Sequence, residues 1–317
     1  MVSTTRSSSQ RMRIAFFGLP LAALLLQRDG HEVVHAALCR DGAIGTRRLT
    51  RALGMDRVVL KPDVGTRAFE ARLRAAEPDL VVSWFWTTRL PAHVVEVARL
   101  GGFGVHPSLL PRHRGPDPYF WAIDAGDATT GVTAHRIAEV YDTGAILAQR
   151  TLDVDPSWSA WTLAKRLDRP SLRLLRDVTA AFAAGAPPED HAQDDALATL
   201  APAPDDAMLE IDWKWTSERI ARRVRAASPW PGAFTFLGDE PVVITRVAEA
   251  RTFPRALEPG QAWVVDGNAI VRTGDGALAL LAGRGGEEGE YDLDAAALAD
   301  LVVALRASTA GDEGGAS

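Results

Sequence analysis

Two residues in this 317-residue chain have the type and setting for proton chemistry. His106 follows the Gly-rich approach Gly101-Gly102-Phe103-Gly104-Val105 and lies in a loop punctuated by Pro107, Pro111, Gly115 and Pro118. Asp142 stands about one strand and one helix later, at the turn Asp142-Thr143-Gly144. An imidazole titrates near neutrality, and a carboxylate brought from a second loop sets its charge and tautomer. Taken singly, neither residue requires this. A lone His after a strand is more often structural, and an Asp before Thr-Gly also suits a turn. His31, His35, His93, His135 and His191 show no ligand spacing such as H-E-x-x-H, so no metal is expected. Single Cys39 excludes an intrachain disulfide and a thiolate cluster.

The elements that would position His106 and Asp142 alternate between strand and helix. Ile14 to Phe17 is an apolar run ended by Gly18, and Pro20 suits the first turn of a helix. Val33 to Leu38 and Arg57 to Leu60 read as strands, Phe69 to Ala76 as a helix, and Leu80 to Val82 as a buried strand after Pro78. This order predicts an α/β domain, a Rossmann-like parallel sheet with helices on both faces, spanning residues 12–186. Ligands of such sheets bind beyond the carboxyl ends of the strands. The first turn reads FGLPLAA with one glycine, so the G-x-G-x-x-G approach to a pyrophosphate is missing and a nicotinamide enzyme is discounted.

Residues 187–204, with several prolines and the stretch EDHAQDDALAT, read as a linker. A second domain over 205–307 would begin with a helix at Trp213 to Ala226, stopped by Pro229-Trp230-Pro231-Gly232. Short alternating runs follow at Phe234 to Leu237, Val242 to Arg246, Ala262 to Val265, Ala269 to Arg272 and Ala277 to Leu281. They predict a small open, OB-like β-barrel closed by a helix at Tyr291 to Arg306. Residues 1–11 and 308–317 read as loose tails.

Charge narrows the partners. The net charge of −6 and the absence of basic tracts argue against a general nucleic-acid binder. From Asp205 onward, 11 Lys and Arg face 19 Asp and Glu, a balance of −8. The longest apolar run, Leu21 to Leu26, is too short for a bilayer, and residues 1–11 lack a secretory core. A soluble, cytoplasmic protein is expected.

The segment H-P-S-L-L-P-R-H-R-G from His106, the segment D-T-G-A-I from Asp142, and MLEIDWKWTSERIARRVRAASPWPGAF from Met208 together resemble the formyltransferases that use 10-formyltetrahydrofolate. That family includes glycinamide ribonucleotide, methionyl-tRNA and nucleotide-amino-sugar enzymes. The resemblance implies their fold, a 10-formyltetrahydrofolate donor, a primary-amine acceptor and no metal. It places an Asn, a His and an Asp around the formyl carbon; His106 and Asp142 match, whereas the Asn position is Gly104. It makes Trp84, Phe85, Trp86, Thr87 and Leu90 a wall of the folate pocket, although by residue type the aromatic run reads equally as core packing at a strand end, and it sets the backbone of Val140, Tyr141 and Asp142 on the pterin edge. Ser108, Leu109, Leu110, Pro111, Arg114 and Gly115 become a substrate loop, braced by Arg114. By residue type alone, His113 and Arg114 read as solvated.

Losing the Asn leaves three readings open. Ser83, Thr87 or a water takes its place; the enzyme is slow; or the chain binds folate without transferring a formyl group. A hydrolase releasing formate is a further alternative. For the acceptor, GVTAHRI, DTGAILAQ, PWPGAFTFLG and GDGALALLAG are similar to the nucleotide-amino-sugar enzymes, which favours a small amine over initiator tRNA. Arg40, Arg47, Arg48 and Arg51 fit a diphosphate or a solvated helix face equally well.

Overall fold

The computed structural model describes residues 10–238, 240–286 and 289–313, with side chains to residue 306. The chain divides into two compact units. The first holds 10–118, 129–153 and 165–202; the second holds 119–128, 154–164 and the described residues from 203 on. The expected tails lie mostly outside the described residues: 1–9 and 314–317 are not covered, and a helix runs to Glu313.

In chain order the elements are β1 Arg13–Gly18, α1 Pro20–Arg28, β2 Glu32–Leu38, α2 Thr46–Leu53, β3 Val58–Leu60, α3 Arg67–Ala75, β4 Leu80–Trp84, α4 Ala92–Val95, β5 Gly102–His106, α5 Pro118–Ala125, β6 Thr129–Arg136, β7 Ile146–Asp153 and α6 Ala160–Ala183. They continue with α7 Asp206–Leu209, α8 Ser217–Ala227, β8 Ala233–Leu237, β9 Glu240–Glu249, β10 Ala262–Val265, β11 Asn268–Arg272, β12 Ala277–Gly285, β13 Tyr291–Asp294 and α9 Ala295–Glu313.

The first unit is a seven-stranded sheet in the order β3-β2-β1-β4-β5-β6-β7. The first five strands are parallel, as expected, but β6 pairs antiparallel to β5 and β7 to β6. The expected parallel sheet with flanking helices is present, and β6 and β7 extend it as an antiparallel edge. Buried apolar runs make the strands: Phe16 and Phe17 of β1, and Leu80, Val81 and Val82 of β4, are fully buried. Helix α3 starts where Thr66 accepts the Phe69 N–H at 3.2 Å, and its Phe69 and Leu73 pack on Phe17 and Val81.

β5 and β6 decide where the chemistry sits. Their register sets Gly104 opposite His135 and His106 opposite Thr133. Side chains two residues apart share a sheet face, so one face carries the bare position 104 beside two imidazoles.

The second unit contains an antiparallel sheet ordered β10-β11-β12-β9-β8, with β13 added on β12. Two boundaries differ from expectation. Residues 213–215 form a turn, since Lys214 N donates to Asp212 Oδ1 at 2.9 Å and Trp215 N to the Asp212 carbonyl at 3.0 Å; Thr216 then caps α8. Likewise Tyr291–Asp294 is a strand, and Asp294 caps the helix that follows by accepting the Ala297 N–H at 2.9 Å. No helix among the described residues is long and apolar enough to cross a membrane.

One buried group predicts acid sensitivity. His35 of β2 is 1% exposed, meets the Phe69 ring edge-on at 5.4 Å, and its Nε2 has no hydrogen-bond partner. Burial, aided by nearby Arg72, pushes its imidazole down to about 4. The unfolded chain binds a proton from about pH 6.5 downward while the folded chain does not, so stability falls as pH falls between about 6.5 and 4. Between pH 7 and 4.5 this group alone removes about 2–3 kcal/mol. Urea unfolding of His35→Phe at both pH values should show a drop smaller by about that amount; an unchanged drop would refute it.

Candidate active site

β5 ends on His106, and its ring is fixed by two contacts. Nε2 donates to the His113 carbonyl at 2.8 Å, which places a hydrogen on Nε2 because a carbonyl only accepts. Nδ1 faces Asp142 Oδ1 at 3.4 Å. A charge-assisted hydrogen bond is shorter, about 2.7–2.9 Å, so the two groups face each other just beyond that contact.

Asp142 is held from three directions. Its Oδ2 accepts the Gly115 N–H at 2.9 Å. Its carbonyl and that of Gly144 both accept from Gln193 Nε2 at 2.7 Å. Its backbone lies in the left-handed region, φ 57°, which Asp tolerates better than most residues. Gly144 is required two residues on, because a Cβ there would fall 1.9 Å from the Arg136 carbonyl. The turn is thus built to present one carboxylate at one point.

A second imidazole reaches the same oxygen. His135 is 7% exposed; its Nδ1 donates to the Arg136 carbonyl at 2.9 Å and its Nε2 lies 3.5 Å from Asp142 Oδ1. The His106 and His135 rings are 6.4 Å apart, nearly perpendicular. Burial pushes His135 down to about 4, against the opposing pull of Asp142 and with a smaller push from His106. At neutral pH it is an uncharged ring with its lone pair toward Asp142.

The arrangement of a His-Asp pair on a strand end, in a sheet of this order followed by a small antiparallel unit, can be compared with known proteins. Residues 26–179 match the family described as formyl transferase, and 205–295 match its C-terminal domain. A methionyl-tRNA formyltransferase of Anaeromyxobacter dehalogenans (strain 2CP-C) is 35% identical over 310 residues, 93% of this chain and 97% of that protein. The chain belongs to the formyl transferase family. A methionyl-tRNA formyltransferase of Herpetosiphon aurantiacus is 33% identical over 282 residues, 85% of this chain and 92% of that protein. Among solved structures, the sugar 3N-formyl transferase WlaRD aligns with TM-score 0.64 at 15% identity, covering 86% of this chain and 98% of its own. HypX from Aquifex aeolicus in complex with tetrahydrofolic acid aligns with TM-score 0.60 at 20% identity, over 90% of this chain and 46% of that one. At these identities the structures speak for the fold.

Within this formyltransferase, the other residues singled out by sequence take varied places. The Trp84 side chain is 4% exposed, with its indole N–H on Ser171 Oγ at 3.0 Å, and Leu90 is 5% exposed in the core. Their side chains pack into the core. Phe85 and Trp86 are half-buried and Thr87 is exposed, so this part of the stretch retains accessible surface. Val140 and Tyr141 are exposed, and an Arg89–Glu139 contact of 3.8 Å brings their turn toward that stretch.

The loop after His106 is more packed than expected. Ser108 is fully buried, its hydroxyl donating to the Arg112 carbonyl at 2.7 Å, and Leu110 is 3% exposed. Leu109 and Pro111 are half-buried. Thr133 organises the loop by donating to the Ser108 carbonyl at 2.7 Å and accepting the Leu110 N–H at 3.0 Å. His113 is 4% exposed, with its N–H on Thr199 Oγ1 at 2.9 Å. Arg114 bonds Gln193 at 2.8 Å and Asp195 at 2.7 Å. His113 is buried and Arg114 half-buried and bonded, against the solvated reading of their types.

Three contributors were missed by sequence: His135, Gln193 and Thr199. The first has a signal only in strand register. The other two lie in the Pro-rich stretch taken for a linker, which is in fact bonded to the site loops, Ile146 to His191 and Arg114 to Leu200. No group of three or more metal-ligating side chains suited to an ion is present among the described residues.

Proposed function

We propose that this formyltransferase moves the formyl group of 10-formyltetrahydrofolate to the nitrogen of a small primary amine, such as a nucleotide-linked amino sugar. The observation that carries the chemistry is the His106–Asp142 pair at 3.4 Å beside a half-buried aromatic surface. Phe85 and Trp86 fit a flat pterin ring, and the buried Trp86 Nε1, which has no hydrogen-bond partner, leaves a donor for a polar edge. The exposed Val140-Tyr141 turn supplies the opposite rim.

Attack by the amine forms an N–C bond and places negative charge on the formyl oxygen. The donor C–N bond then breaks, and the donor nitrogen takes up a proton. Because His106 Nε2 is tied to the His113 carbonyl, only its Nδ1 side serves these steps. A proton held between Nδ1 and Asp142 stabilises the developing charge and is delivered to the leaving nitrogen.

The −8 balance from Asp205 onward favours a small acceptor, because tRNA affinity is dominated by phosphate neutralisation. The 35% identity to methionyl-tRNA formyltransferases over 97% of their length favours a second reading, charged initiator tRNA. Donor consumption is to be followed with initiator methionyl-tRNA and with a panel of nucleotide amino sugars and amino acids. Turnover with a small amine at tenfold or greater kcat/KM supports the first reading. Preference for the tRNA, with a KM rising steeply with salt, overturns it in favour of the second. Formate release without any amine would remove both.

A further inference from the structure

We propose that His135 is the proton acceptor of this site, a second imidazole that works through Asp142 in the space left open by Gly104. The inference rests on the formyl-transfer reading above. Position 104 lies directly across from His135, and a Cβ built there would meet Ser83 Cβ at 3.6 Å and His135 Nε2 at 3.9 Å. Both are ordinary contacts, so the backbone there has room for a Cβ. With glycine there, the His135 ring borders the site with no side chain from 104 in front of it.

The proton count points to a relay. The carbonyls of His113 and Arg136 fix hydrogens on His106 Nε2 and His135 Nδ1. Each ring, when neutral, therefore directs its lone pair at the same atom, Asp142 Oδ1, at 3.4 and 3.5 Å. One further proton bridges one imidazole nitrogen and the carboxylate, and leaves the other imidazole as an open acceptor beside them. Burial disfavours the charged form of His135, which leaves its Nε2 unprotonated and open to receive a proton in passing. The charged or titratable groups facing His135 are Asp142, from the turn, and His106, from β5; Arg136 turns its guanidinium away to Asp190 and the Leu100 carbonyl.

Amine formylation needs both halves of such a relay. The amine nitrogen loses one proton as it bonds the formyl carbon, and the donor nitrogen gains one as its bond breaks. His106–Asp142 gives the second proton. Asp142 takes the first and passes it to His135 Nε2, and return of that proton to the His106–Asp142 side restores the starting state. No oxidant or metal enters the balance.

The test joins kinetics to imidazole ¹⁵N spectra of the ligand-free protein. His135→Gln should lower kcat about 100-fold with donor KM changed less than twofold, and should abolish the acid-side inflection of the kcat–pH profile. Loss of less than threefold, or an unaltered acid limb, overturns the proposal. The spectra need neither substrate nor a His135 variant. The His135 Nε2 resonance should be that of an unprotonated nitrogen at neutral pH and should move in Asp142→Asn, whereas a protonated Nε2, or a resonance unmoved by that change, overturns it. If the wild-type protein transfers no formyl group to any amine, the function fails, and the spectra still decide whether His135 Nε2 is an open acceptor facing Asp142.

Discussion

Asp142→Asn is expected to lower kcat for formyl transfer by about three orders of magnitude while the protein melts within a few degrees of wild type. Asparagine is isosteric and also tolerates φ 57°, so the turn survives. Its amide oxygen can keep the Gly115 N–H, bonded at 2.9 Å in the wild type. The –NH₂ then faces His106 Nδ1 and donates to it permanently. A ring that receives a fixed donor on Nδ1 and gives its Nε2–H to His113 has no proton left to deliver. The change thus removes charge and proton transfer together without opening a cavity. The donor KM should move little, because the aromatic surface at Phe85 and Trp86 is untouched. A kcat within tenfold of wild type would show that the carboxylate merely shapes the turn.

The second large effect concerns stability. In the second unit Asp124 is 3% exposed and binds two guanidinium groups, Arg219 and Arg223, the latter at 2.8 and 3.1 Å. Burial pushes the Asp124 carboxyl up, and the bonds from the two arginines outweigh it, holding the group below the usual carboxylate range. Both arginines also lie over the Trp215 ring, at 4.6 and 5.1 Å. Asp124→Ala leaves the buried Arg223 and the partly exposed Arg219 facing aromatic rings with no carboxylate between them. Removing one partner of a buried ion pair costs about 3–5 kcal/mol, because the remaining charge is uncompensated. A fall of roughly 10 °C in Tm follows for a protein of this size. Urea unfolding of Asp124→Ala beside Asp124→Asn measures it; a loss below about 1 kcal/mol would mean that water reaches the arginines.

Strand positions were readable because apolar runs such as Ile14 to Phe17 and Leu80 to Val82 carry their own periodicity and their own stops at Gly18 and Pro78. His106 and Asp142 were readable because their loops are marked by Pro, Gly and Asp-Thr-Gly. Properties set by pairing were not. The antiparallel course of β6 and β7 leaves no mark in composition, and the value of His135 appears only once Gly104 is known to lie across from it. The residues 213–215 fooled a helical reading because Asp212 and Thr216 compete for the backbone as turn and cap, which outweighs the apolar spacing of Ile220 and Val224. Gln193 was hidden by its neighbours, since an acidic, proline-containing stretch reads as a tether whatever one amide within it bonds.

That amide also sets how short a working chain can be made. A polypeptide ended at residue 186 would retain both imidazoles and the carboxylate, yet the carbonyls of Asp142 and Gly144 would lose the crossbar that Gln193 supplies. The sixteen residues from 187 to Pro202 that a boundary drawn by composition would discard belong with the first unit. A cut before Arg219 would further strip the buried Asp124 of both its guanidinium partners, so a chain meant for turnover keeps that helix as well.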